Sequence, residues 1–323
     1  MKMVTKGVKL RIWVIRFAWL VGVLSGFTAC NSLKQSQQET TAQNNYCHPT
    51  VDYSYDSTYL PQATIDAILK ADTALTRRYS QHDLLMANAI GVIPLLRELI
   101  VLETSSKADA RLESVIKHQQ ILNRLLVAST QVSSVAAELD CEGERADRLA
   151  TYLDQYDTQR IRRLTLLSII VGAATTVVTT LIQSDNTSKV VGISGGVIGA
   201  GFGGFAAFST SRIIHLSHQR NLLTDVWEQN QQSKIYPPFV WYVLNEKTFS
   251  NSNQYSVIHN IRQRWENFVL NDSSPQEQAL YFGQGGDYKA DDFHARANML
   301  NQLQSSVRSI NQDLHSLALA LAR

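Results

Sequence analysis

The chain has 323 residues, of which 44% are hydrophobic, with 30 lysine and arginine residues against 28 aspartate and glutamate residues. Five basic residues and no acidic ones lie before residue 30, so removal of residues 1–29 would leave 25 basic residues against 28 acidic ones, a net charge of −3. Nucleic-acid binding requires a clustered basic face. The composition therefore gives no reason to expect a nucleic-acid partner.

The amino terminus has the layout of an export signal. Residues 1–16 carry only basic charges, and the apolar run FAWLVGVLSGFTA follows and ends at Cys30. A basic segment before a short apolar segment is typical of a signal peptide, which we predict for residues 1–29. The alternative is an uncleaved membrane anchor over residues 12–29.

The end of this segment, Phe27-Thr28-Ala29-Cys30, resembles the lipobox of bacterial lipoproteins. The resemblance implies that Cys30 becomes the first residue and is acylated, for example with palmitate. Because Asn31 follows the cysteine, it also implies a lipoprotein of the outer membrane that faces the periplasm. Residues 30–60 are then predicted to be a tether and an irregular segment, since residues 31–45 have few large apolar side chains.

Two further cysteines, Cys47 and Cys141, lie in the body of the chain. In an oxidising periplasm they could form a disulfide that ties the start of the folded body to a central helix. Two free thiols are the alternative, because pairing depends on a distance that the sequence does not give.

The fold class is predicted to be all-α, an elongated helical bundle or coiled coil with an apolar helical hairpin. Residues 61–163 form the first half of the bundle. They start with a helix from Pro61 to about residue 78, and a helix over residues 83–103 follows, which Pro94 should kink.

One long helix is predicted from about residue 107 to the hairpin. A 3,4 spacing typical of a coiled-coil seam holds at Leu122, Leu125, Ser129, Val132, Ala136, Leu139, Gly143, Ala146, Ala150 and Leu153. The other faces carry charged residues that we expect to be solvated: Glu138, Asp140, Glu142, Glu144, Arg145, Asp147 and Arg148. Gly143 is the expected weak point, where a break at Cys141–Gly143 would divide the helix.

Residues 164–211 are predicted to be an apolar hairpin of transmembrane type. Residues 164–182 are 19 uncharged residues, which as a helix would rise roughly 28 Å, close to the ~30 Å hydrocarbon thickness of a bilayer. A second uncharged stretch, residues 190–211, follows the polar link QSDNTSK. The alternative is that both stretches form the buried centre of a water-soluble bundle.

Glycines in this hairpin follow two stripes. Gly192, Gly196 and Gly204 lie on one, and Gly195, Gly199 and Gly203 lie on the other, while Gly172 belongs to the first segment. Small residues at four-residue spacing let helix backbones approach closely in lipid. We expect one stripe to face the row of small residues that includes Ser168 and Gly172, and the other to meet a second subunit in a homo-oligomer.

Residues 212–323 form the second half of the bundle. Helices are expected over residues 213–231 and about 254–270, followed by a loop that contains Pro275, Gly283, Gly285 and Gly286. The last helix is amphipathic from Phe293 to Leu321 and should dock on the seam. It is also a candidate surface for a protein partner.

No motif in the chain indicates an enzyme or a cofactor. His215 and His218 lie three residues apart and could share a helix face as metal ligands. However, no further ligand motif accompanies them, so no metal site is predicted. No nucleophile with an identifiable base is found, and the chain is not expected to be an enzyme.

Cys30 and the two glycine stripes together resemble the glycine-zipper two-helix envelope lipoproteins. The resemblance implies a role in envelope organisation, with oligomerisation through the zipper and membrane lipid as a partner. A long helix with an apolar hairpin also looks like the haemolysin-type α-helical pore-forming toxins, which is the alternative. A helical adaptor with a buried apolar hairpin is the third class.

Overall fold

The computed structural model describes residues 46–49, 59–106, 109–181, 196–197, 199–201, 203–204, 211–271 and 273–322, all within one compact unit from Tyr46 to Arg323. The fold is all-α, as predicted. The helices are α1 (Ile65–Ala71), α2 (Thr73–Arg78), α3 (Gln81–Ala89), α4 (Ile93–Glu103), α5 (Ala110–Leu181), α6 (Thr224–Glu228), α7 (Pro238–Asn245), α8 (Val257–Phe268), α9 (Pro275–Phe282) and α10 (Ala290–Leu321). Lys247–Phe249 form a short 3-10 helix, and the strands are β1 (Ile214–Ser217) and β2 (Gly285–Tyr288). The predicted signal peptide, Cys30 and residues 31–45 lie outside the described residues.

α5 and α10 form the centre of the bundle. α5 has 72 residues, a rise of about 108 Å at 1.5 Å per residue, and the 32-residue α10 packs along its middle. The Ser129 hydroxyl donates to the side-chain oxygen of Asn311 at 3.1 Å, and the Gln304 amide donates to Asp140 at 2.6 Å. Later residues of α5 thus meet earlier residues of α10, so the two helices are antiparallel.

The predicted seam of α5 is confirmed over most of its length. Val132, Leu139, Ala150 and Leu153 are fully buried, together with the α10 side chains Leu300, Leu303, Val307, Ile310, Leu314 and Leu317. The start of the seam is wrong, because Leu122 is 50% exposed and its neighbour Ile121 is buried instead. The expected docking of the last helix is therefore confirmed.

Gly143 does not break α5, which is continuous across the predicted weak point. A Cβ atom at Gly143 would lie 2.8 Å from Oδ1 of Asn301 and 3.7 Å from Cβ of Leu300, both in α10. The absence of a side chain at Gly143 therefore lets α5 and α10 approach each other closely. The low helix propensity of glycine, by contrast, had suggested a break.

The predicted solvated face of α5 is wrong for three residues. Glu138, Glu142 and Arg145 are buried. Arg220 Nε donates to Glu138 Oε1 at 2.8 Å, and Arg145 Nη2 donates to Glu142 Oε2 at 2.6 Å. Arg220, which follows β1 and lies 82 residues after Glu138 in the sequence, covers this face. Burial raises the pKa of Glu138, although the hydrogen bond and charge of Arg220 oppose the shift.

Both predicted helices of the amino-terminal part are divided in two. The Asp72 carboxylate accepts a hydrogen bond from the backbone N–H of Leu75 at 3.2 Å, so this residue ends α1 and caps α2. The second helix divides at Gly91, whose φ of 73° is left-handed and whose missing side chain leaves room for the backbone of Tyr59. Pro94 lies in the first turn of α4, where the absent N–H would have no helical partner.

A two-stranded antiparallel sheet lies where the sequence predicts a helix and a loop. β1 lies where a helix over residues 213–231 is expected, and it pairs with β2 so that Ile214 is opposite Tyr288. Gly285 has a φ of 89°, and a side chain there would collide with the carbonyl of Leu216. The predicted loop is likewise wrong at Pro275, which starts α9. The two strands were missed because a strand held by a distant partner leaves little local periodicity.

Candidate functional site

The carboxyl-terminal part of α5 carries large apolar side chains that stay exposed. Leu166, Leu167, Ile169, Ile170 and Val177 are between 40% and 61% exposed. Residues 196, 197, 199–201, 203 and 204 are helical, and among them Val197 is 67% exposed. We call residues 164–181 and the described residues of 196–204 the apolar end.

Exposure at the apolar end covers more than half of the circumference of α5. Successive residues of a helix are rotated by about 100°, so Leu166, Leu167, Ile169 and Ile170 cover an arc of about 160°. The exposed smaller residues Thr165 and Gly172 widen this arc to roughly 220°. No aspartate, glutamate, lysine or arginine occurs from residue 164 to residue 184. A helix that is apolar all round requires an apolar medium or a complete protein cover. Within the described part of the chain, the bundle does not cover these side chains.

The sequence analysis predicts a membrane-spanning pair of helices here. Within the described ranges of the chain, no helix has the length and the apolar character that crossing a membrane demands.

The two glycine stripes have different surroundings where they are described. The Ser168 hydroxyl donates to the carbonyl of Gly199 at 2.7 Å, and a Cβ atom at Gly203 would lie 3.5 Å from the same hydroxyl. This stripe therefore faces α5, at the row of small residues that was expected to receive it. By contrast, nothing that the structure describes lies within 4 Å of a Cβ atom built at Gly196 or Gly204.

The other predicted packing glycines have a mixed outcome. A Cβ atom built at Gly172 of α5 would likewise have no described atom within 4 Å, so the expected contact of Gly172 with the returning segment is not formed by the described residues. Gly192 and Gly195 lie outside the described residues.

The base of the apolar end is closed by a contact between α5 and the returning chain. The backbone N–H of Arg212 donates to both carboxylate oxygens of Asp157, at 3.2 and 3.3 Å. The Arg212 guanidinium lies over the ring of Tyr156, 4.4 Å from its centroid, and 5.6 Å from that of Tyr152. Together with the contact at Ser168, this shows that the chain returns antiparallel to α5.

A second exposed apolar surface lies near the start of α5, and its chemistry differs. Leu112, Val115, Leu122 and Leu126 are at least 50% exposed, but charged residues interrupt them: Arg111, Glu113, Lys117 and Arg124. A cleft of about 590 Å³ between α4 and α5 is lined by charged and apolar side chains, among them Arg97, Glu98, Val101 and Ile116. This surface is amphipathic, whereas the apolar end is uncharged.

Cys47 and Cys141 form a disulfide that joins the first described residues to the middle of α5. The sequence analysis left this pairing open. The bond closes a loop of 94 residues and lies beside the buried charges Glu138, Glu142 and Arg145. Cys30, the predicted lipidation site, lies outside the described residues.

α10 uses its apolar face within the chain. Phe293, Leu300, Leu303 and Leu317 are fully buried, so the face that prompted the prediction of a protein partner is covered by the bundle. A partner on residues 293–321 stays a prediction, and it would have to use the outward face, where Leu319 is 51% exposed.

The two histidines do not share a helix face. His215 lies in β1, where its Nδ1 pairs with Asp287 across the sheet at 2.9 Å. His218 is buried, and its Nε2 is 2.7 Å from the hydroxyl of Tyr288. In the part of the chain that the structure describes, no group of three or more His, Cys, Asp or Glu side chains is placed to hold a metal ion.

A buried polar cluster around Arg296 escaped the sequence analysis. Arg296 is 1% exposed, and its Nη1 donates to the carbonyl of Tyr281 at 3.1 Å and to Oδ1 of Asn221 at 3.3 Å. Burial lowers the pKa of Arg296. Burial also lowers the pKa of His218 to about 2, with the charge of Arg296 as the next cause, and raises that of Tyr288 to about 12. The His218–Tyr288 pair is therefore neutral at pH 7, and the cluster joins β1, β2, α9 and α10.

Comparison with family models, with curated proteins and with solved structures finds no match to this chain.

Proposed function

We propose that the protein is a lipid-anchored helical protein of the bacterial cell envelope that has a structural or organising role. In this proposal acyl chains cover the apolar end, and copies assemble through the open glycine stripe. The exposure of large apolar side chains on the uncharged end of α5 carries the proposal.

Leaving these apolar side chains in water has a cost in free energy. Full burial of one leucine, isoleucine or valine side chain is worth roughly 1.5–3 kcal/mol. Six such side chains at the apolar end are 40–67% exposed, so covering them would yield on the order of 5–10 kcal/mol. Lipid fits this surface better than a folded partner, because the exposed surface is wide and no residue from 164 to 184 carries a charge.

The reach of the amino-terminal segment is compatible with an anchor in the same membrane. Cys30 precedes Cys47 by 17 residues, which span at most about 60 Å. Leu164 follows Cys141 by 23 residues of continuous helix, a rise of about 35 Å. A lipid on Cys30 can therefore enter the bilayer that covers the apolar end.

Fractionation of matched variants tests the lipid contact. The background is the chain from residue 30 with Cys30→Ser, so that membrane binding depends on the body alone. We expect Ile169→Lys with Ile170→Lys to move the protein from carbonate-washed membranes to the supernatant. Leu122→Lys with Leu126→Lys is the control, since these residues lie in the same helix with similar exposure, and we expect this protein to stay with the membranes. If the parent protein itself is washed off as a monomer, the proposal is wrong.

Oligomerisation through the open stripe has its own test. We expect Gly196→Leu with Gly204→Leu to remove crosslinked oligomers from membranes, because these glycines lack described neighbours and leucine would block close backbone approach. Val197→Leu is the control, since it changes an exposed side chain without adding bulk to the stripe. Unchanged ladders in the glycine variant would contradict assembly through this face.

A membrane-inserting or pore-forming role is the second candidate function. The contact between Ser168 and Gly199 places a returning segment against the end of a long helix, the arrangement that this alternative requires. Dye release from liposomes separates the two functions, since a structural lipoprotein leaves the vesicles intact and a pore former empties them.

A further inference from the structure

Four arginines surround the base of the apolar end. Arg160, Arg162 and Arg163 lie in α5 immediately before the uncharged segment. Residues three apart share a helix face, so Arg160 and Arg163 point to one side and Arg162 points to the other. Arg162 and Arg163 are exposed.

The fourth arginine is brought to this level only by the fold. Arg212 lies 49 positions after Arg163 in the sequence, and its backbone N–H is held by the Asp157 carboxylate. Both α5 and the returning chain therefore contribute positive charge at the point where the polar bundle meets the apolar end. We call Arg160, Arg162, Arg163 and Arg212 the arginine collar.

Two acidic residues of α5 lie near the collar. Asp157 accepts the backbone N–H of Arg212, and Asp154 accepts a hydrogen bond from His294 Nε2 at 2.9 Å. These are the two acidic residues of α5 between residues 150 and 181. From residue 151 to residue 181, α5 thus has three arginines and two aspartates, and Arg212 of the returning chain adds a further positive charge.

Tyrosines complete the boundary between polar and apolar surface. Tyr156 is 40% exposed and lies beneath the Arg212 guanidinium, next to Tyr152. Tyrosine and arginine are the side chains that favour the level of the headgroups, since each combines an apolar body with a polar end. The guanidinium group also matches phosphate oxygens with two parallel hydrogen bonds.

We propose that the arginine collar binds the phosphate groups of anionic phospholipids at the surface of the bilayer that covers the apolar end. The inference rests on the proposed lipid contact and adds the headgroup chemistry that the collar selects. The phosphate sits at the collar because the acyl chains of the same lipid lie along the uncharged helix that follows.

Vesicle co-sedimentation tests the collar with the chain from residue 30 that carries Cys30→Ser. The probes are phosphatidylcholine vesicles with and without phosphatidylglycerol. Attraction of basic residues to an anionic surface is about 1 kcal/mol each, so we expect Arg162→Gln with Arg163→Gln to weaken binding to anionic vesicles by about 30-fold. Binding to neutral vesicles should change by less than about threefold. The control is Arg111→Gln with Arg148→Gln, which removes two exposed arginines of the same helix and should retain the parent's preference.

The outcomes separate this inference from the proposed function. If the collar variant keeps the parent's preference for anionic vesicles, or the control loses it equally, the collar inference is wrong while lipid contact stands. If the parent binds neither kind of vesicle, the proposed function itself fails. Calorimetry with inorganic phosphate distinguishes the source of the phosphate: saturable binding without vesicles, lost in the collar variant, would overturn the assignment to lipid headgroups.

Discussion

The disulfide between Cys47 and Cys141 should be a large source of stability in this fold. It closes a loop of 94 residues, and the chain-entropy model assigns about 4.5 kcal/mol to a loop of that length. The bond joins residues 46–49 covalently to α5, and the Arg145 guanidinium also lies 5.9 Å from the ring centroid of Tyr46. We therefore expect Cys47→Ser with Cys141→Ser to lower the free energy of unfolding by roughly 3–5 kcal/mol.

The assay is urea unfolding, followed by circular dichroism, of the chain from residue 30 with Cys30→Ser. Without reductant the parent should unfold at a higher urea concentration than the double variant. With reductant the two transitions should coincide, which serves as the control for any effect of serine itself. A difference below about 1 kcal/mol without reductant would refute the loop-entropy reasoning.

Two further substitutions test the interior of the bundle. Gly143→Ala should raise the free energy of unfolding by up to about 1 kcal/mol, because the exposed Asn301 amide can rotate away from the new methyl group. Chemical denaturation measures this change. A lower free energy of unfolding in the variant would mean that the methyl group pushes α5 and α10 apart. His218 has a pKa near 2 in the fold against an ordinary 6.5, so the unfolded chain binds its proton first as the pH falls. Stability should drop by up to about 1.4 kcal/mol per pH unit below pH 6.5. The pKa of His82 is raised by its hydrogen bond to Asp313, so His82 makes the fold more stable as the pH falls. This effect is the same in the parent and in His218→Phe. The difference between their pH dependences of stability therefore measures the contribution of His218.

Short-range spacing of apolar residues predicted the elements whose burial depends on that spacing. The seam of α5 follows a 3,4 spacing, and its burial at Leu139 and Leu153 follows directly from that spacing. The strands and the buried charges were missed because each depends on a distant segment. β1 meets β2 across about 70 residues, and Glu138 is buried because Arg220 folds over it.

At the candidate site, too, the sequence predicts local features but not those that depend on distant segments. The uncharged segment is visible in composition alone, since every residue from 164 to 184 lacks a formal charge. Which glycine stripe faces α5 was left open, and the contact of Ser168 with Gly199 assigns it. The position of Arg212 beside Asp157 could not be read from the sequence, because it depends on the register of the returning chain.

α5 serves two different purposes along one continuous helix, and one substitution made at two positions should separate them. Leu139 is fully buried in the seam, whereas Leu166 is 48% exposed at the apolar end. Leu139→Ala should lower the free energy of unfolding by roughly 2–5 kcal/mol, since it leaves a cavity. Leu166→Ala should change it by less than about 1 kcal/mol, because about half of that side chain is already exposed, and should instead weaken binding to vesicles. Urea unfolding and co-sedimentation of both variants measure the two effects. Equal loss of stability in the two variants would show that the apolar end belongs to the folded core, and the case for lipid contact would fall with it.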